Sequence, residues 1–305
     1  MLRFLIRRLA LAFLVALTVL SLSFALTRLA GDLAVAIAGP SATAADVAAV
    51  RIAYGLDRPV LVQFADWAVR AAHGDFGHSF FFKEQVANLI ADRLPITGTL
   101  GLTAIAIALA VALPLGILAA VKQNTWIDRL ATSIALFGQA MPTFWFGLIL
   151  MIGFGLKLGW LPISGTGSWR HYVMPGIVLA FTAIPALMRL TRSGMIEVLA
   201  SDYIRTARAK GLRARTVVLR HALRNAAIPV VSIAAVQLGF MLGGSVVIEQ
   251  VFALLGVGYL AWESISKNDY PVVQAVVLVL ACIYVLLTLI ADLLNAFLDP
   301  RLRTA

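Results

Sequence analysis

Long apolar runs separated by shorter polar stretches occupy most of this chain. A helix needs about 20 residues with few or no charges to cross the hydrocarbon core of a bilayer. Six runs fit this description, the fourth being the shortest, and none contains Asp, Glu, Lys or Arg. They are Leu9–Thr27, Thr97–Val121, Ala131–Leu156, Val173–Met188, Ala226–Ile248 and Pro271–Ala291. The pattern predicts an all-α polytopic membrane protein with six transmembrane helices.

The stretch between the first two runs has an amphipathic pattern, which predicts an external helical segment lying on the membrane surface or capping the bundle. The predicted short helices are Thr43–Tyr54, Pro59–His73 and Lys83–Leu94. The residues that follow them, Gly55, Gly74 and Pro95, are of types that end helices. Pro59 also suits the first turn of the second helix.

The distribution of Lys and Arg predicts the orientation, because loops rich in these residues stay on the cytoplasmic side. With both termini inside, most of the 25 basic residues fall in cytoplasmic segments. The predicted organisation is a cytoplasmic N-terminus (1–8), a first transmembrane helix (9–28), an extracytoplasmic helical segment (29–96), a five-helix domain (97–298) that includes a cytoplasmic loop (189–225), and a cytoplasmic tail (299–305).

Composition supports the membrane assignment, since 61% of residues are hydrophobic, 13% are charged and the mean hydropathy is +0.92. Soluble domains carry roughly a quarter charged residues. The net charge of +10 does not indicate nucleic-acid binding, because aromatic residues are not interleaved with the basic ones as stacking platforms. Cys282 is the single cysteine, which excludes an internal disulfide and a cysteine-based metal site.

The first apolar run also has an alternative interpretation as a secretory signal, since Arg3, Arg7 and Arg8 precede it. The apolar region of a signal peptide typically has about 7–15 residues. This run is longer, so we expect an uncleaved first helix.

The predicted loop 189–225 concentrates positive charge next to a short helix with defined ends. Ser201 is a predicted N-cap, Asp202 suits the first turn, and Gly211 ends a helix over Asp202–Lys210. A second helix, Thr216–Asn225, leads into the fifth span. The basic residues that follow Asp202 are Arg205, Arg208, Lys210, Arg213, Arg215, Arg220 and Arg224.

The order of residues in this loop is its most specific feature. It reads Asp202-Tyr203-Ile204-Arg205-Thr206-Ala207-Arg208-Ala209-Lys210-Gly211-Leu212, followed by His221-Ala222-Leu223-Arg224-Asn225 and Ile228-Pro229. Further segments are Arg3 to Leu9, Gly55-Leu56-Asp57-Arg58-Pro59, Gly74-Asp75-Phe76-Gly77-His78-Ser79 and Met141-Pro142-Thr143-Phe144-Trp145. Together they resemble the B-type permeases of the oligopeptide/dipeptide ABC importers, a family that includes nickel and glutathione importers. The Glu of the general Glu-Ala-Ala loop motif is replaced by Arg205, as is typical of the peptide branch.

The resemblance implies a type I ABC importer permease fold in the bacterial inner membrane, and a function in moving di- or oligopeptides by alternating access. Nickel or glutathione uptake is the alternative within the family. The implied partners are a second homologous permease, two ATP-binding subunits, an extracytoplasmic peptide-binding protein and membrane lipid. ATP and Mg²⁺ would bind the partner subunits, and this chain would bind no cofactor.

The resemblance also implies roles for particular residues. The expected ATPase-coupling residues are Asp202, Arg205, Thr206, Ala207, Arg208, Lys210, Gly211 and Leu212. The external motif comprises Gly55, Leu56, Asp57, Pro59, Gly74, Asp75 and Gly77.

Polar and flexible residues inside the spans are candidates for a translocation path. They are Gln139, Met141, Gln237, Met241 and Glu249, the last of which would close an external gate. The prolines expected to mark kinks are Pro114, Pro142, Pro175, Pro185 and Pro229. Gly239, Gly243 and Gly244 predict close helix contacts in the fifth span.

The sequence predicts no catalytic residues and no metal ligands, because it lacks a P-loop motif and any His or Cys spacing typical of a metal site. An ion-gradient-driven secondary transporter is the alternative from another class, but such proteins usually carry ionisable residues within their spans. A membrane enzyme would need convergent reactive groups at one depth, and a channel would need ring-forming residues.

Overall fold

The computed structural model describes residues 2–29, 31–39 and 41–298, and this part of the chain is almost entirely helical. The predicted cytoplasmic tail, 299–305, lies outside the described residues. The α-helices are α1 (Leu2–Leu29), α2 (Leu33–Ala38), α3 (Ala44–Ala53), α4 (Val60–Ala72), α5 (Val86–Val121), α6 (Trp126–Ala140), α7 (Thr143–Leu150), α8 (Val173–Leu199), α9 (Asp202–Ala209), α10 (Ala214–Thr216), α11 (Leu223–Val251), α12 (Val257–Ser266) and α13 (Tyr270–Leu298). Two π-helical turns, Met151–Lys157 and Val217–Ala222, and a 3₁₀ turn, Trp169–Tyr172, adjoin these helices.

Among the described residues, five helices are long and apolar enough to cross a membrane, and a bent pair makes a sixth if it is counted as one span. Each predicted run lies within or across these elements, but the helices extend beyond the charge-free runs at their ends. A charge-free apolar run therefore predicts the centre of a membrane helix better than its ends. Polar residues outside the bilayer can continue the helix, because they form the same backbone hydrogen bonds.

The third predicted span, Ala131–Leu156, is wrong as a single helix. Helix α6 and the helical stretch that begins with α7 are bent by 102° relative to each other. Met141 between them is extended, with φ −78° and ψ 131°, because the following Pro142 disfavours helical geometry in the residue before it. The proline expected to mark a kink thus breaks the helix. Pro175, Pro185 and Pro229 lie inside helices that continue past them.

The prediction of a separate external helix over Lys83–Leu94 is also wrong. Lys83 has a left-handed backbone with φ 59°, and helix α5 begins at Val86 and continues through Pro95 to Val121. The predicted domain boundary at 96/97 consequently lies within one helix. A proline inside a membrane helix is tolerated because neighbouring groups and small backbone adjustments compensate for its missing N–H.

The predicted loop 189–225 begins too early, because α8 continues as a helix to Leu199. At the other end of the loop, helical structure resumes at Ala214 and continues through the π-helical turn into α11. The non-helical part is reduced to short connections on either side of α9. Charged residues near the end of α8 interrupt the apolar run, but the helix continues through them.

Two of the short helices between α1 and α5 confirm the predicted pattern. Helix α3 has Thr43 as its N-cap with a complete capping box to Asp46, and α4 follows Pro59. Gly55 and Gly74 after them have φ 62° and 79°, the left-handed conformation that glycine adopts without steric cost. Helices α2 and α12 were not predicted.

Internal contacts divide the chain into two compact units. The bundle unit holds Gly98–Leu254 and the chain from Leu287, and the N-terminal unit holds Leu2–Thr97 and Leu255–Leu286. In the bundle unit, helices approach closely at small residues. A Cβ on Gly116 of α5 would lie 2.8 Å from the Met188 carbonyl of α8, and one on Gly194 would lie 3.3 Å from the Ala226 carbonyl of α11. Among the described residues, Gly243 and Gly244 make no close helix contact, because a Cβ there would meet nothing within 4 Å.

An ion pair joins α6 to α8 in the bundle unit. Arg192 Nε and an Nη donate to the two carboxylate oxygens of Asp128 at 2.6 and 2.7 Å. The Asp128 side chain is 7% exposed, and it also accepts the Asn124 backbone N–H at 3.0 Å. Such a bidentate pair fixes the relative position of two helices as well as neutralising the buried carboxylate.

The N-terminal unit has a core where the first turns of α5, helix α12 and the first half of α13 meet. Its buried residues are Val86, Leu89, Ile90, Val257, Leu260, Val272, Ala275 and Val276. A buried carboxylate fixes the loop before α5: Asp269 accepts the Ser79 hydroxyl and the Phe80 backbone N–H. Ser79 ends the external glycine motif, so this motif is held by a residue 190 positions away.

Candidate functional site

The candidate site is helix α9 with the connections that flank it. Its C-terminal end is a Schellman motif: Gly211 N–H donates to the Arg208 carbonyl at 2.9 Å and Leu212 N–H to the Ala207 carbonyl at 3.4 Å. Gly211 has φ 72°, which explains the glycine at this position. The predicted helix over Asp202–Lys210 is confirmed to within one residue.

The N-terminal end of α9 differs from the prediction. Ser201 occupies the N-cap position with extended geometry, φ −72° and ψ 154°, but its side chain makes no capping hydrogen bond. Its hydroxyl donates instead to the Val198 carbonyl at 2.6 Å, in the last turn of α8. The serine therefore joins two helices, and the predicted cap interaction is wrong.

Two apolar residues anchor α9 to the bundle. Ile204 is 0% and Ala207 is 7% exposed, and both belong to one buried cluster. That cluster comprises Ala120, Met195, Ile204, Ala207, Val217, Ala222 and Ala226. It unites the end of α5, the end of α8 and the beginning of α11 with α9. A displacement of α9 would therefore have to carry three long helices with it, because packed interiors transmit strain.

The opposite face of α9 displays charge and one aromatic ring. The exposed members of the predicted coupling set are Asp202, Arg205, Thr206, Arg208, Lys210, Gly211 and Leu212. Ala207 is the one member of this set that is buried. It packs against other helices of the chain, whereas the prediction placed it in contact with the ATPase. Arg205 and Asp202 pair at 3.4 Å with side chains 81% and 93% exposed, an arrangement that contributes little stability and leaves both charges accessible.

A polar groove of about 530 Å³ lies beside α9. It is lined by Tyr203, Arg220, His221, Arg224, Asn225 and Ile228. Asn225 Nδ2 donates to the Tyr203 hydroxyl at 2.7 Å, which ties α9 to α11 a second time. The arrangement offers cationic side chains around a recess and suits an acidic protein surface. The sequence did not predict the contact between Tyr203 and Asn225 or the ion pair between Asp128 and Arg192, because no local pattern links these positions.

The predicted path residues fall into two environments. Gln139 and Met141 line one small cavity of about 100 Å³ at the break between α6 and α7. Met241 and Glu249 are 2% and 0% exposed, and Glu249 accepts the Ser245 hydroxyl at 2.9 Å. Gln237 is half-buried in α11. A role for these residues in a path stays a prediction.

The external motif forms turns in the N-terminal unit. Gly55, Gly74 and Gly77 have positive φ values of 62°, 79° and 80°, and the Asp75 carboxylate accepts the Gly77 N–H at 2.9 Å. Leu56 is half-buried, whereas Asp57 and Pro59 are exposed. Within the described residues, no group of three or more His, Cys, Asp or Glu is placed to hold a metal ion.

Comparison with known proteins identifies similar sequences over almost the whole chain. Residues 112–304 match the family model described as binding-protein-dependent transport system inner membrane component, and residues 1–101 match its N-terminal family model. The chain is 44% identical over 275 residues to the glutathione transport system permease protein GsiC of Salmonella typhimurium strain LT2, covering 90% of both chains. The protein of that name from Escherichia coli strain K12 is 43% identical over 275 residues, again 90% of both chains.

Solved structures share the fold of the chain. Inward-facing conformations of the MetNI methionine ABC transporter match with a TM-score of 0.59 at 18% identity in the native CY5 crystal form, over 69% of this chain and 96% of that chain. The SeMet-soaked crystal form gives 0.58 at 19% identity, over the same shares of both chains. At these identities the likeness establishes the fold alone.

Proposed function

Because the chain belongs to the family of binding-protein-dependent transport system inner membrane components, in the peptide, nickel and glutathione group of ABC importer permeases, we propose that helix α9 couples it to partner ATPases. The chain is a multi-pass permease subunit with the type I ABC importer fold, and it has no enzymatic activity of its own. Membership implies partner ATPase and substrate-binding subunits and a second permease. We propose two ATPases, which would carry the ATP and Mg²⁺, and a cytoplasmic position for α9.

The observation that carries this proposal is the two-sided construction of α9. Its inner face is buried with the ends of α5, α8 and α11, whereas its outer face presents exposed cations. A docked ATPase that moves on binding ATP would move α9, and the buried contacts of Ile204 and Ala207 would pass that movement to the membrane helices. Alternation between inward- and outward-open states is the expected result.

Charge reversal on α9 tests this proposal. We expect Arg205→Glu with Arg208→Glu to reduce co-purification of ATPase subunits roughly fivefold or more, since rim charges steer association. Thermal stability should change little, because both side chains are exposed. The matched control, Lys157→Glu with Arg170→Glu, makes the same change of charge on exposed residues. Full co-purification and ATP-driven uptake in the α9 variant would contradict the proposal.

We further propose that the cargo is a short peptide, with glutathione, itself a tripeptide, within that class. Support comes from the 44% identity to a permease named for glutathione transport. Uptake of labelled glutathione by cells that carry the transporter, with unlabelled dipeptides and nickel as competitors, distinguishes the possibilities. We expect labelled glutathione to be taken up and unlabelled dipeptides to compete with it; uptake of nickel without uptake of glutathione or dipeptides would assign the chain to the metal branch.

A further inference from the structure

The N-terminal unit contains a partly open cavity of about 500 Å³ that the transport function does not explain. Helices α1, α4 and α13 contribute aromatic, cationic and amide side chains to its walls. The lining residues that matter here are Phe24, Arg28, Gln63, Trp67, Arg70 and Gln274. Gly55, Leu56 and Gly77 of the external motif line the same cavity, so the motif turns shape its wall.

Two buried polar atoms in this cavity have no hydrogen-bond partner among the described residues. They are Arg28 Nε, a donor, and Gln63 Oε1, an acceptor. Gln63 Nε2 donates to the Leu56 and Arg58 carbonyls at 3.1 and 2.7 Å. These two hydrogen bonds fix the orientation of the amide, and its Oε1 accepts no hydrogen bond from the described residues. Buried polar groups are normally paired, so each of these atoms calls for a partner that the described chain does not supply.

The Arg28 guanidinium is held at the cavity by an aromatic contact. Its Cζ lies 4.9 Å from the centroid of the Phe24 ring. Within the described residues it forms no ion pair. A cation fixed in this way, and partly removed from water, favours an anionic ligand such as a phosphate.

The cavity lies at the level where two membrane-length helices end. Arg28 is in the last turn of the apolar helix Ile6–Leu29, and Gln274 is near the beginning of Tyr270–Leu294. Gln274 Nε2 donates to the Thr27 hydroxyl, so these two ends are side by side. The ends of spanning helices lie among lipid headgroups.

We propose that this cavity binds the headgroup of a phospholipid that carries a hydrogen-bond donor, with the ethanolamine class as its preferred ligand. The phosphate pairs with Arg28, and the ammonium donates to Gln63 Oε1. The Asp66 carboxylate, which also lines the cavity and pairs with Arg58 at 3.4 Å, is a second acceptor in the cavity wall for the ammonium. Trp67 and Phe24 pack against the glycerol and upper acyl carbons.

A free peptide shares part of this chemistry, since it has a carboxylate and N–H donors. The position beside two helix ends favours the lipid, because headgroups surround that level of the protein. The experiment therefore adds free peptide as a competitor, which distinguishes a lipid ligand from a peptide ligand.

Native mass spectrometry of the full chain in detergent, with dioleoyl phosphatidylethanolamine or dioleoyl phosphatidylcholine added at equal concentration, tests the proposal. Choline has no N–H donor for Gln63, so we expect at least fivefold greater retention of the ethanolamine lipid. Arg28→Gln should lower the retention of both lipids at least fivefold, because both carry the phosphate, and Arg28→Lys should restore part of this retention. Arg170→Gln, an exposed arginine outside the cavity, should leave it unchanged.

The lipid comparison needs no variant, so it remains decisive if an Arg28 substitution impairs folding. Equal retention of the two lipids by the wild-type chain, or undiminished retention of the ethanolamine lipid by folded Arg28→Gln, would overturn the proposal. So would displacement of the bound lipid by millimolar glutathione or dipeptide, which would assign the cavity to a peptide.

Discussion

Helices α3 and α9 end in the same way but are held in place by different means. Each is closed by a Schellman motif at a glycine: Gly55 N–H donates to the Ile52 carbonyl at 3.1 Å, and Gly211 N–H to the Arg208 carbonyl at 2.9 Å. Both glycines have left-handed backbones, with φ 62° and 72°. Their C-terminal ends are therefore equivalent in local structure.

The remainder of the two helices differs. Helix α3 has a reciprocal capping box between Thr43 and Asp46, and no residue of it is buried. Helix α9 lacks a side-chain cap at Ser201, but it buries Ile204 and Ala207 among residues of other helices. Helix α3 is stabilised by its capping box and by an exposed ion pair from Arg51 to Asp32, whereas α9 is stabilised by apolar contacts with distant parts of the chain.

This difference indicates which of the two helices can transmit force. Helix α3 buries no residue, and its ion pair from Arg51 to Asp32, the N-cap of α2, is exposed, so α3 can move with little disturbance of the packed helices. A helix whose side chains fill a shared apolar cluster cannot, because close-packed interiors do not deform continuously. We therefore expect matched substitutions in the two helices to have unequal effects on ATP-driven uptake.

The largest difference should come from shortening one isoleucine in each helix. Ile204→Ala leaves a cavity in the shared cluster and should cost about 2–5 kcal/mol of unfolding free energy, with loss of uptake. Ile52→Ala, at a position that is 71% exposed, should change stability by about 0.5 kcal/mol or less. Thermal unfolding and proteoliposome uptake measure both. Equal effects would show that burial does not distinguish the helices.

The next comparison replaces the two terminating glycines. Gly211→Ala and Gly55→Ala should each cost about 1 kcal/mol, because alanine is strained at positive φ. A Cβ at Gly211 would meet nothing within 4 Å, and one at Gly55 would meet only the flexible Arg58 side chain, at 3.3 Å. We expect the local cost to be similar but only Gly211→Ala to lower the ATPase rate that cargo stimulates. A matching loss in Gly55→Ala would remove the special role of α9.

Substitution of the N-cap residues should destabilise α3 more than α9. Thr43→Ala removes the capping box and should lower the local stability of α3 by about 1 kcal/mol. Ser201→Ala should cost α9 less than this, since no cap bond is lost. Hydrogen exchange of each helix measures the local free energy of opening, with uptake expected to survive Thr43→Ala. A larger loss in Ser201→Ala would mean that α9 depends on a local cap after all.

The smallest effect is a pH dependence confined to α3. The Thr43 hydroxyl and then its backbone N–H hold the pKa of Asp46 below its ordinary value. A carboxyl group with a lowered pKa stabilises the fold above its unfolded pKa, about 3.9, and loses this effect as pH falls through the folded pKa. Exchange protection of α3 should therefore be flat from about pH 8 to 5 and decline only below about pH 4. Asp46→Asn should abolish this decline, whereas a decline in wild type near neutral pH would contradict the assignment.

Much of the fold was predictable because its signals are local. Apolar runs located the membrane helices, and glycines fixed the ends of α3, α4 and α9. The predictions failed where a boundary depended on context. Pro95 lies inside α5, Pro142 separates α6 from α7, and charged residues continue α8 to Leu199. A proline or a charge changes local preference by a few kcal/mol, and the surrounding helices decide whether the chain tolerates it.

The residues of the candidate site could be predicted from the sequence, but the packing of α9 against the other helices could not. The residues from Asp202 to Gly211 could be selected from their order, and their helix followed from capping and periodicity. The inward position of Ala207 and the bond from Asn225 to Tyr203 depend on how α9 docks. No spacing in the loop specifies that docking.

Local sequence patterns were enough to predict the helical class, the centres of the spans, several short helices and the family to which the chain belongs. These features arise from the transfer of apolar side chains out of water and from hydrogen bonds between residues a few positions apart. The contacts between distant residues depend on how the helices pack. Asn225 and Tyr203 are 22 positions apart, Arg192 and Asp128 are 64 apart, and Ser79 and Asp269 are 190 apart. Such pairs form when packed helices bring them together, so the anchoring of α9 and the lipid-level cavity exist only in the folded chain.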